Sequence, residues 1–248
     1  MALAIGKKHL CHICTVMYST LLNAGLQFDS QETSLIFRGV RAAMAEKRTR
    51  GETRNGKLRS VAADLFLKRG YDGVTIDRVV ELAGGSKSTV YSEFGGKCGL
   101  FISSIETLCR EANEPLANLD YSGLNLEQSL KKLAFHILKL ITAKRSVDLH
   151  RLAIGEAVNC PEVGEAWYTH GPARTASFIS TVLKNHRNEL RNSSIPIERR
   201  AVLLHDALTG DVLYRLLAGI TKRESDAELE RTANSIVEVF VASWRLAK

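Results

Sequence analysis

The apolar positions of the chain recur at intervals of three and four residues from residue 54 to residue 247, which is the spacing of amphipathic helices. No window shows the sustained alternation of polar and apolar residues that marks a β-strand. The chain is therefore expected to be all-α. The longer predicted helices cover residues 54–69, 97–115, 125–143, 146–159, 161–170, 172–190, 196–219 and 225–247.

Two short helices are predicted between the first two of these. Thr75 is a good N-cap for one and Ser86 for the other, because their side-chain oxygens can accept hydrogen bonds from free N–H groups. The pair Gly84-Gly85 breaks the chain between the two helices, and Gly95-Gly96 ends the second. Two short helices joined by a tight glycine turn form a helix-turn-helix, here expected at residues 75–94.

The second short helix has two distinct faces on a helical wheel. Val90 and Phe94 share one face and are expected to anchor the helix to those before it. The opposite face carries hydroxyl groups and no acid, which suits a helix in the major groove of DNA, since acids would repel phosphates. The residues expected to contact DNA are Arg54, Thr75, Ser86, Lys87, Ser88, Thr89, Tyr91, Ser92 and Lys97.

The glycines and the Lys87-Ser88 pair of this region also invite comparison with a nucleotide-binding loop. A Walker-type loop needs GxxxxGK followed by Ser or Thr, directly after a strand. Here Ser86 precedes the lysine, Glu81 stands at the first glycine position, and the flanking segment is helical. No GxSxG, HExxH or GxGxxG motif occurs, and the histidines are scattered. The sequence favours a protein that is not an enzyme and needs no cofactor or metal.

Most of the positive charge lies in one stretch of the chain. The formal net charge is +7, and between residues 38 and 60 eight lysines and arginines face two glutamates, which gives +6 in this stretch alone. A basic segment that runs into the first helix suits a polyanion such as the DNA backbone. A solvated, flexible linker is the alternative interpretation.

The five cysteines are an odd number in a long chain, which argues against a secreted disulfide scaffold and fits a reducing cytoplasm. Cys11 and Cys14 form a CxxC motif. A structural zinc site normally needs a second close pair of ligands, and no other CxxC or HxxxH pair occurs. A metal or redox role for Cys11 and Cys14 is therefore not favoured.

Residues 1–43 read differently from the rest of the chain. The segment 9–28 lacks Asp, Glu, Lys and Arg, but His, Thr, Ser, Asn and Gln make it too polar for a membrane-spanning helix. No clean signal-peptide cleavage site follows Lys7-Lys8. Translation from Met44 would give a polar, basic lead into the first helix. Residues 1–43 are thus expected to be a poorly ordered or wrongly assigned extension, with no membrane association.

The run from Leu58 to Phe101 resembles the N-terminal domain of the tetracycline-repressor (TetR) family of transcriptional regulators. The matching positions are Leu65-Phe66, Gly70-Tyr71, Thr75, Ala83-Gly84, Ser86-Lys87, Thr89 or Val90 with Tyr91 and Phe94, and Lys97 with Leu100. The resemblance implies a three-helix DNA-binding domain at residues 52–112. It further implies a larger helical domain at residues 113–248, which binds a small effector and forms a homodimer that reads a palindromic operator.

Two positions depart from the family pattern. Gly85 stands where the family usually has a valine that packs the turn, so this turn is expected to be looser. Cys98 stands where an acidic residue usually follows the lysine. An inert substitution is the favoured interpretation of Cys98, because a cysteine on the buried side of a helix is usually unreactive. A thiol sensor is the alternative.

The C-terminal half of the chain is less diagnostic of a protein family than the run from Leu58 to Phe101. Residues 149–174 resemble the corresponding segment of AcrR- and AefR-like members of the family. An effector is expected among the middle helices, and an apolar or amphipathic molecule fits their composition. The aromatic and histidine residues that could line such a site are Phe135, His136, Trp167, Tyr168 and Phe178, although residues of these types at such positions more often belong to the core.

The helix predicted at 196–219 is apolar on more than one face. One face can enter its own domain and the other a second subunit, although a wholly internal helix has the same pattern. The resemblance favours a homodimer through this helix and the last one, at 225–247. The expected function is a ligand-responsive repressor in the bacterial cytoplasm, associated with the nucleoid when DNA-bound. A ligand-free architectural DNA-binding protein and an enzyme in the C-terminal half remain alternatives.

Overall fold

A computed structural model describes residues 54–244 of the chain. The expectations for residues 1–43, including the Cys11–Cys14 motif, lie outside this range. The expected all-α class is confirmed, because residues 54–244 form helices and no strand. The helices are α1 at residues 54–69, α2 Ile76–Ala83, α3 Lys87–Phe94, α4 Lys97–Ala117, α5 Leu126–Ile141, α6 Lys144–Glu156, α7 Pro161–His170, α8 Pro172–Asn185, α9 Ile197–Leu217 and α10 Asp226–Trp244.

The short helices α2 and α3 begin at the predicted caps. The Thr75 hydroxyl oxygen accepts a hydrogen bond from the backbone N–H of Arg78 at 3.2 Å. The Ser86 hydroxyl oxygen accepts one from the backbone N–H of Thr89 at 3.2 Å. Each bond satisfies a donor that has no partner inside its own helix. Gly95 ends α3 in the left-handed conformation, with φ of 74°, which a residue with a Cβ adopts at a cost.

Some helix ends differ from the predicted ones. The helix α4 was expected to end by Pro115 but continues to Ala117, with Pro115 inside it. A proline removes one hydrogen bond from the ladder and crowds the preceding turn. Here it lies in the last turn, where little helix remains to be disturbed. The helix α8 ends at Asn185 rather than 190, and a single 3-10 turn, Arg187–Glu189, follows it.

Two clusters of buried side chains hold the helices together. The first joins α1–α4 to one face of α6 and α7, with Phe66, Val90 and Phe101 fully buried at its centre. The second lies among α5, α8, α9 and α10, where Leu133 and Val237 are fully buried. The helix α4 contributes to both clusters. The helix α6 does so too, with Val147 in the second cluster and Leu149 in the first, so both helices attach the N-terminal helices to the rest of the described chain.

Candidate nucleic-acid interface and effector cavity

The helix α3 presents its polar face to solvent. Val90 is 0% exposed and Phe94 is partly buried against the first cluster, so these two side chains fix the orientation of the helix, as predicted. Tyr91 is 59% exposed, a high value for an aromatic side chain. Its ring is therefore available for contact with another molecule beside the polar face of α3.

The hydroxyl groups at the start of α3 are linked to one another. The Ser86 hydroxyl lies 3.1 Å from that of Ser88 and 3.0 Å from that of Thr89. The Ser92 hydroxyl donates a hydrogen bond to the Thr89 carbonyl at 3.2 Å. Hydroxyl groups can both donate and accept, so this exposed patch can meet phosphate oxygens as well as base edges.

The lysine of α3 is held by a neighbouring acid. The Lys87 ammonium lies 2.7 Å from the Asp77 carboxylate of α2, and both side chains are more than half exposed. This hydrogen bond, followed by the charge of Asp77, raises the pKa of Lys87. The pairing fixes the lysine between the two helices of the helix-turn-helix. A phosphate would compete with Asp77 for the ammonium, since both are anions.

The one acidic residue of α3 points away from the hydroxyl patch. The Glu93 carboxylate accepts a hydrogen bond from the side-chain amide of Asn55 on α1 at 2.9 Å. This contact keeps the negative charge beside α1. The face that carries Ser88 and Ser92 is left without an acid, as the helical wheel predicts.

Tyr91 and Lys97 lie on either side of the glycine turn that follows α3. A Cβ placed on Gly96 would lie 3.4 Å from the Tyr91 ring, so the tyrosine packs directly over the glycine backbone. The Lys97 ammonium lies 4.2 Å from the centre of the Tyr71 ring, within the range of a cation–π contact. The structure thus brings Tyr91 and Lys97 to one edge of the helix-turn-helix.

Arg54 reaches the glycine turn between α2 and α3. A Cβ placed on Gly85 would lie 3.5 Å from two nitrogens of the Arg54 guanidinium. The φ of Gly85 is 132°, a conformation that side chains with a Cβ rarely adopt. Where the family usually has a packed valine, this chain has a glycine with an arginine against it. All nine residues expected to contact DNA therefore lie on or beside α1–α3 and the first residue of α4.

A cavity of about 250 Å³ lies among the helices α4–α9. Trp167 and Tyr168 of α7 line it, as does the buried His150 of α6. The rings of His150 and Trp167 meet edge to face, 5.3 Å apart. Burial lowers the pKa of His150, so its imidazole is neutral at neutral pH.

The other three predicted effector residues lie elsewhere. His136 lines a separate cleft between α4, α5 and α6, and its ring nitrogen Nδ1 lies 2.8 Å from the Lys132 carbonyl oxygen. Phe178 borders a third cleft, and the centre of its ring lies 4.6 Å from the Cζ atom of the Arg174 guanidinium. Phe135 packs against the second hydrophobic cluster. Of the five predicted effector residues, Trp167 and Tyr168 are therefore the two that line the cavity of about 250 Å³.

Several polar residues of the cavity escaped the sequence analysis. The buried Asn113 side chain donates to the His170 carbonyl at 3.0 Å and accepts from the Thr175 hydroxyl at 3.1 Å, which ties α4 to α7 and α8. His205 of α9 also lines the cavity. An isolated Asn or His within an apolar stripe carries no local signal, because only the packing of distant helices brings such groups together.

Two kinds of site are absent from the described residues. Between residues 54 and 244, no set of three or more His, Cys, Asp or Glu side chains is positioned to hold a metal ion. Over the same range, no helix is both long enough and apolar enough to cross a membrane.

The fold and the exposed face of α3 define a helical protein with an N-terminal helix-turn-helix. Family models agree with this description. Residues 58–103 match the model for bacterial regulatory proteins of the tetR family. Residues 128–245 match the C-terminal domain of AefR-like transcriptional repressors.

Three curated relatives are similar to the chain. The repressor NicS of Pseudomonas putida is 33% identical over 40% of this chain and 44% of its own length. The DNA-binding repressor TetR of Mycobacteroides abscessus is 32% identical over 32% of this chain and 40% of its own. The chain therefore spans less than half the length of these two relatives. The regulator YdeS of Bacillus subtilis is 37% identical over 68% of this chain and 81% of its own.

Solved structures show the same fold. A TetR-family regulator from Mesorhizobium loti superposes with a TM-score of 0.70 and 27% identity, over 79% of this chain and 99% of that one. The flavonoid-responsive regulator FrrA gives a TM-score of 0.65 at 20% identity, over 79% of this chain and 100% of its own. The protein belongs to the TetR family of transcriptional regulators, with an AefR-like C-terminal domain. The family models and curated relatives that it matches describe transcriptional regulators and not enzymes.

Proposed function

We propose that the protein is a repressor that binds a palindromic operator as a homodimer and leaves it when a small molecule binds. It would act in the bacterial cytoplasm, at the nucleoid when bound to DNA. The observation that carries the proposal is the exposed, acid-free face of α3, held by the buried Val90. Two of the curated relatives are themselves named as repressors.

The proposed division of labour within the DNA interface follows the chemistry of each side chain. Positively charged and aromatic groups at the edges suit phosphate contacts, which position a protein on DNA without reading its sequence. Hydroxyls at the centre of the exposed face suit base edges. Phosphate contacts are assigned to Arg54, Lys87, Tyr91 and Lys97, with Thr75 and Ser86 at the helix starts, and base contacts to Ser88, Thr89 and Ser92.

A homodimer is supported by the face of α9 that lies opposite its buried side. Its residues follow a four-three spacing typical of helices that pack side by side: Leu203, Ala207, Gly210, Tyr214 and Leu217. The last three also border the cavity, so a second copy on this face would cover the cavity's rim. Tyr214 is 71% exposed, and Val239 on the neighbouring helix α10 is 70% exposed. Covering these apolar side chains with the same face of a second copy would remove them from water, which is favourable.

The cavity between α4 and α9 is the proposed effector site. Its 250 Å³ lies just below the range of about 300–1,000 Å³ typical of ligand pockets, so a small molecule fits best. Most of the lining is apolar, and the neutral His150 adds no positive charge. Asn113 and Thr175 supply hydrogen-bonding groups. A small molecule with an apolar body and a few polar groups matches this lining, which also includes the Asp206 carboxylate, 3.2 Å from the His205 ring nitrogen Nδ1.

The proposal is tested by selecting bound sequences from random DNA with the full-length protein, first alone and then against a panel of small molecules. A palindromic consensus, released by at least one compound, is the expected result. Binding without a palindrome, and without any response to small molecules, would instead describe an architectural DNA-binding protein. No selective binding to DNA would contradict the proposal altogether.

A matched pair of tyrosine variants tests the interface itself. Tyr91→Ala removes the exposed ring from α3 and should weaken operator binding severely in a mobility-shift assay. Tyr168→Ala removes a tyrosine of similar exposure, 56% against 59%, from the cavity side of the protein. Without effector, this control should bind the operator like the unmodified protein. Equal affinities for both variants would refute the assignment of α3 as the recognition helix.

A further inference from the structure

Two cysteine sulfurs meet where the DNA-binding helices join the rest of the described chain. The Sγ atoms of Cys98 and Cys160 are 2.9 Å apart, although the residues are 62 positions apart in sequence. This distance is well inside the separation of about 3.5–4.0 Å at which nonbonded carbon atoms pack. Both residues are free thiols and both are partly exposed, so a small solute can reach them.

The two cysteines belong to different parts of the fold. Cys98 is the second residue of α4 and follows Lys97 of the proposed DNA interface. Cys160 is the N-cap of α7, the helix that carries Trp167 and Tyr168 into the effector cavity. A bond between the sulfurs would therefore connect the base of the recognition helix to the wall of the cavity.

The surroundings of the pair distinguish the two thiols. Burial, followed by hydrogen bonds with Cys98 and with the Glu162 carboxylate at 3.4 Å, raises the pKa of Cys160. Cys160 is thus held as the protonated thiol at neutral pH. Tyr71 lies close enough that both sulfurs, after burial, contribute to raising its pKa. Cys109, further along α4, is buried in the cavity wall and serves as a natural comparison.

We propose that Cys98 and Cys160 are a reversible oxidation site, which closes to a disulfide when the protein meets hydrogen peroxide. The Cys98 thiol gives up its proton, and its sulfur attacks one oxygen of the peroxide and breaks the O–O bond. The departing hydroxide takes up a proton and leaves as water, and Cys98 becomes a sulfenic acid. The Cys160 thiol then condenses with this sulfur, forming the S–S bond and releasing a second water. The peroxide gains two electrons, one from each sulfur, and the two thiol protons end in water. A dithiol reductant reverses the reaction.

Closure of the bond has a defined mechanical effect. The sulfurs must approach from 2.9 Å to the S–S bond length of about 2.05 Å, which draws the start of α4 and the start of α7 together. Lys97 and the glycine turn below α3 lie at this point of α4. We expect the oxidised form to bind the operator more weakly, and this consequence, unlike the disulfide itself, rests on the proposed function.

The site is tested by treating the full-length protein with hydrogen peroxide, blocking free thiols and mapping tryptic peptides by mass spectrometry. The expected product joins peptide 98–110 to peptide 152–174, with the loss of two hydrogen atoms, and disappears after reduction. Because peptide 98–110 also contains Cys109, the mapping is repeated with Cys109→Ser, which should still form the link. Cys98→Ser and Cys160→Ser should each abolish it.

The cysteines at 11 and 14 are replaced by serine in every variant, so that no other vicinal pair contributes. Absence of the link in the Cys109→Ser protein, or its persistence in the Cys160→Ser protein, would overturn the site. Thermal unfolding of the reduced variants shows whether each is folded. A link that appears only in a variant that is unfolded when reduced would also count against the site.

The regulatory consequence is measured on the operator selected above. Peroxide should weaken binding by about fivefold or more, the lower end of typical coupling between sites, and reductant should restore it. Cys160→Ser should bind like the reduced protein under both conditions. Unchanged or tighter binding after the link has formed would overturn the regulatory effect. Failure of the reduced protein to bind any operator would instead overturn the proposed function and leave the mapped disulfide standing.

Discussion

Gly99 occupies a position in α4 where no larger residue fits. A Cβ placed on it would overlap the carbonyl oxygen of Phe94, the last residue of α3, and would lie 2.9 Å from the Phe94 carbonyl carbon. Both contacts are with backbone atoms, which cannot rotate away as a side chain can. Gly99→Ala must therefore push the end of the recognition helix away from α4, because Cβ atoms in proteins essentially never approach other atoms closer than 3.0 Å.

The expected change in the free energy of unfolding of Gly99→Ala is the difference between two opposing contributions. Overpacking of this kind costs about 1–3 kcal/mol, and an unyielding backbone places Gly99→Ala at the upper end. Replacing a helical glycine by alanine contributes about 0.5–1 kcal/mol in the other direction. The expected net loss is about 2 kcal/mol of the free energy of unfolding. For a chain of this length that corresponds to a melting temperature lower by about 4–8 °C.

The matched control is Gly155→Ala in α6, where an added Cβ meets no atom within 4 Å. This variant should be as stable as the unmodified protein or slightly more stable. Both variants are measured by thermal unfolding at one fixed protein concentration, because unfolding of a dimer depends on concentration. Gly99→Ala should also bind the operator more weakly. If Gly99→Ala had the same melting temperature as Gly155→Ala, the close packing of α3 against α4 would be refuted.

Three further predictions concern single residues. Lys97→Ala should weaken binding to all DNA sequences alike. In titrations over a salt series it should also reduce the slope of log affinity against log salt concentration by about one, because one phosphate contact is lost. A loss of affinity that depends on the DNA sequence would contradict this role. Gly85→Val places a β-branched residue at a φ of 132°, beside the Arg54 guanidinium. It should lower the free energy of unfolding, measured in urea, by about 1–3 kcal/mol. Equal or higher stability would show that the turn tolerates a packed side chain. Burial lowers the pKa of His150 below its usual 6.5. Below about pH 6.5 the unfolded chain is therefore protonated at His150 while the native protein is not, and the free energy of unfolding should fall as the pH drops further. His150→Asn should weaken that fall in a series of melting curves from pH 7.5 to 5, and an unchanged profile would exclude His150 as its source.

The helix-turn-helix could be predicted closely from the sequence because its determinants are local. Thr75 and Ser86 cap the helices that follow them within three residues, and Gly95 ends α3 through its own backbone conformation. Such contacts depend on neighbours in sequence, so the order of residues alone predicts them. The buried position of Val90 followed from helical periodicity in the same way.

The effector cavity and the cysteine pair could not be predicted in this way. Asn113 receives its partners from α7 and α8, and Cys98 meets a sulfur 62 residues away. These contacts exist only because distant helices pack at particular angles. For the same reason, Phe135 and Trp167 looked equally suitable as effector residues, and only the packing places one in the core cluster and the other in the cavity wall.

The helix α4 spans the distance between the proposed DNA interface and the proposed effector cavity. Lys97 stands at its first position, and Asn113, hydrogen-bonded to α7 and α8, lies in the cavity wall near its other end. At a rise of about 1.5 Å per residue, the two are separated by about 24 Å. A rod of that length, tilted by about 5° at one end, moves its other end by about 2 Å. On the proposed function, an effector that tilts α4 at its cavity end would therefore move Lys97, and the turn that joins it to α3, by most of a hydrogen-bond length, which is enough to break a contact with DNA.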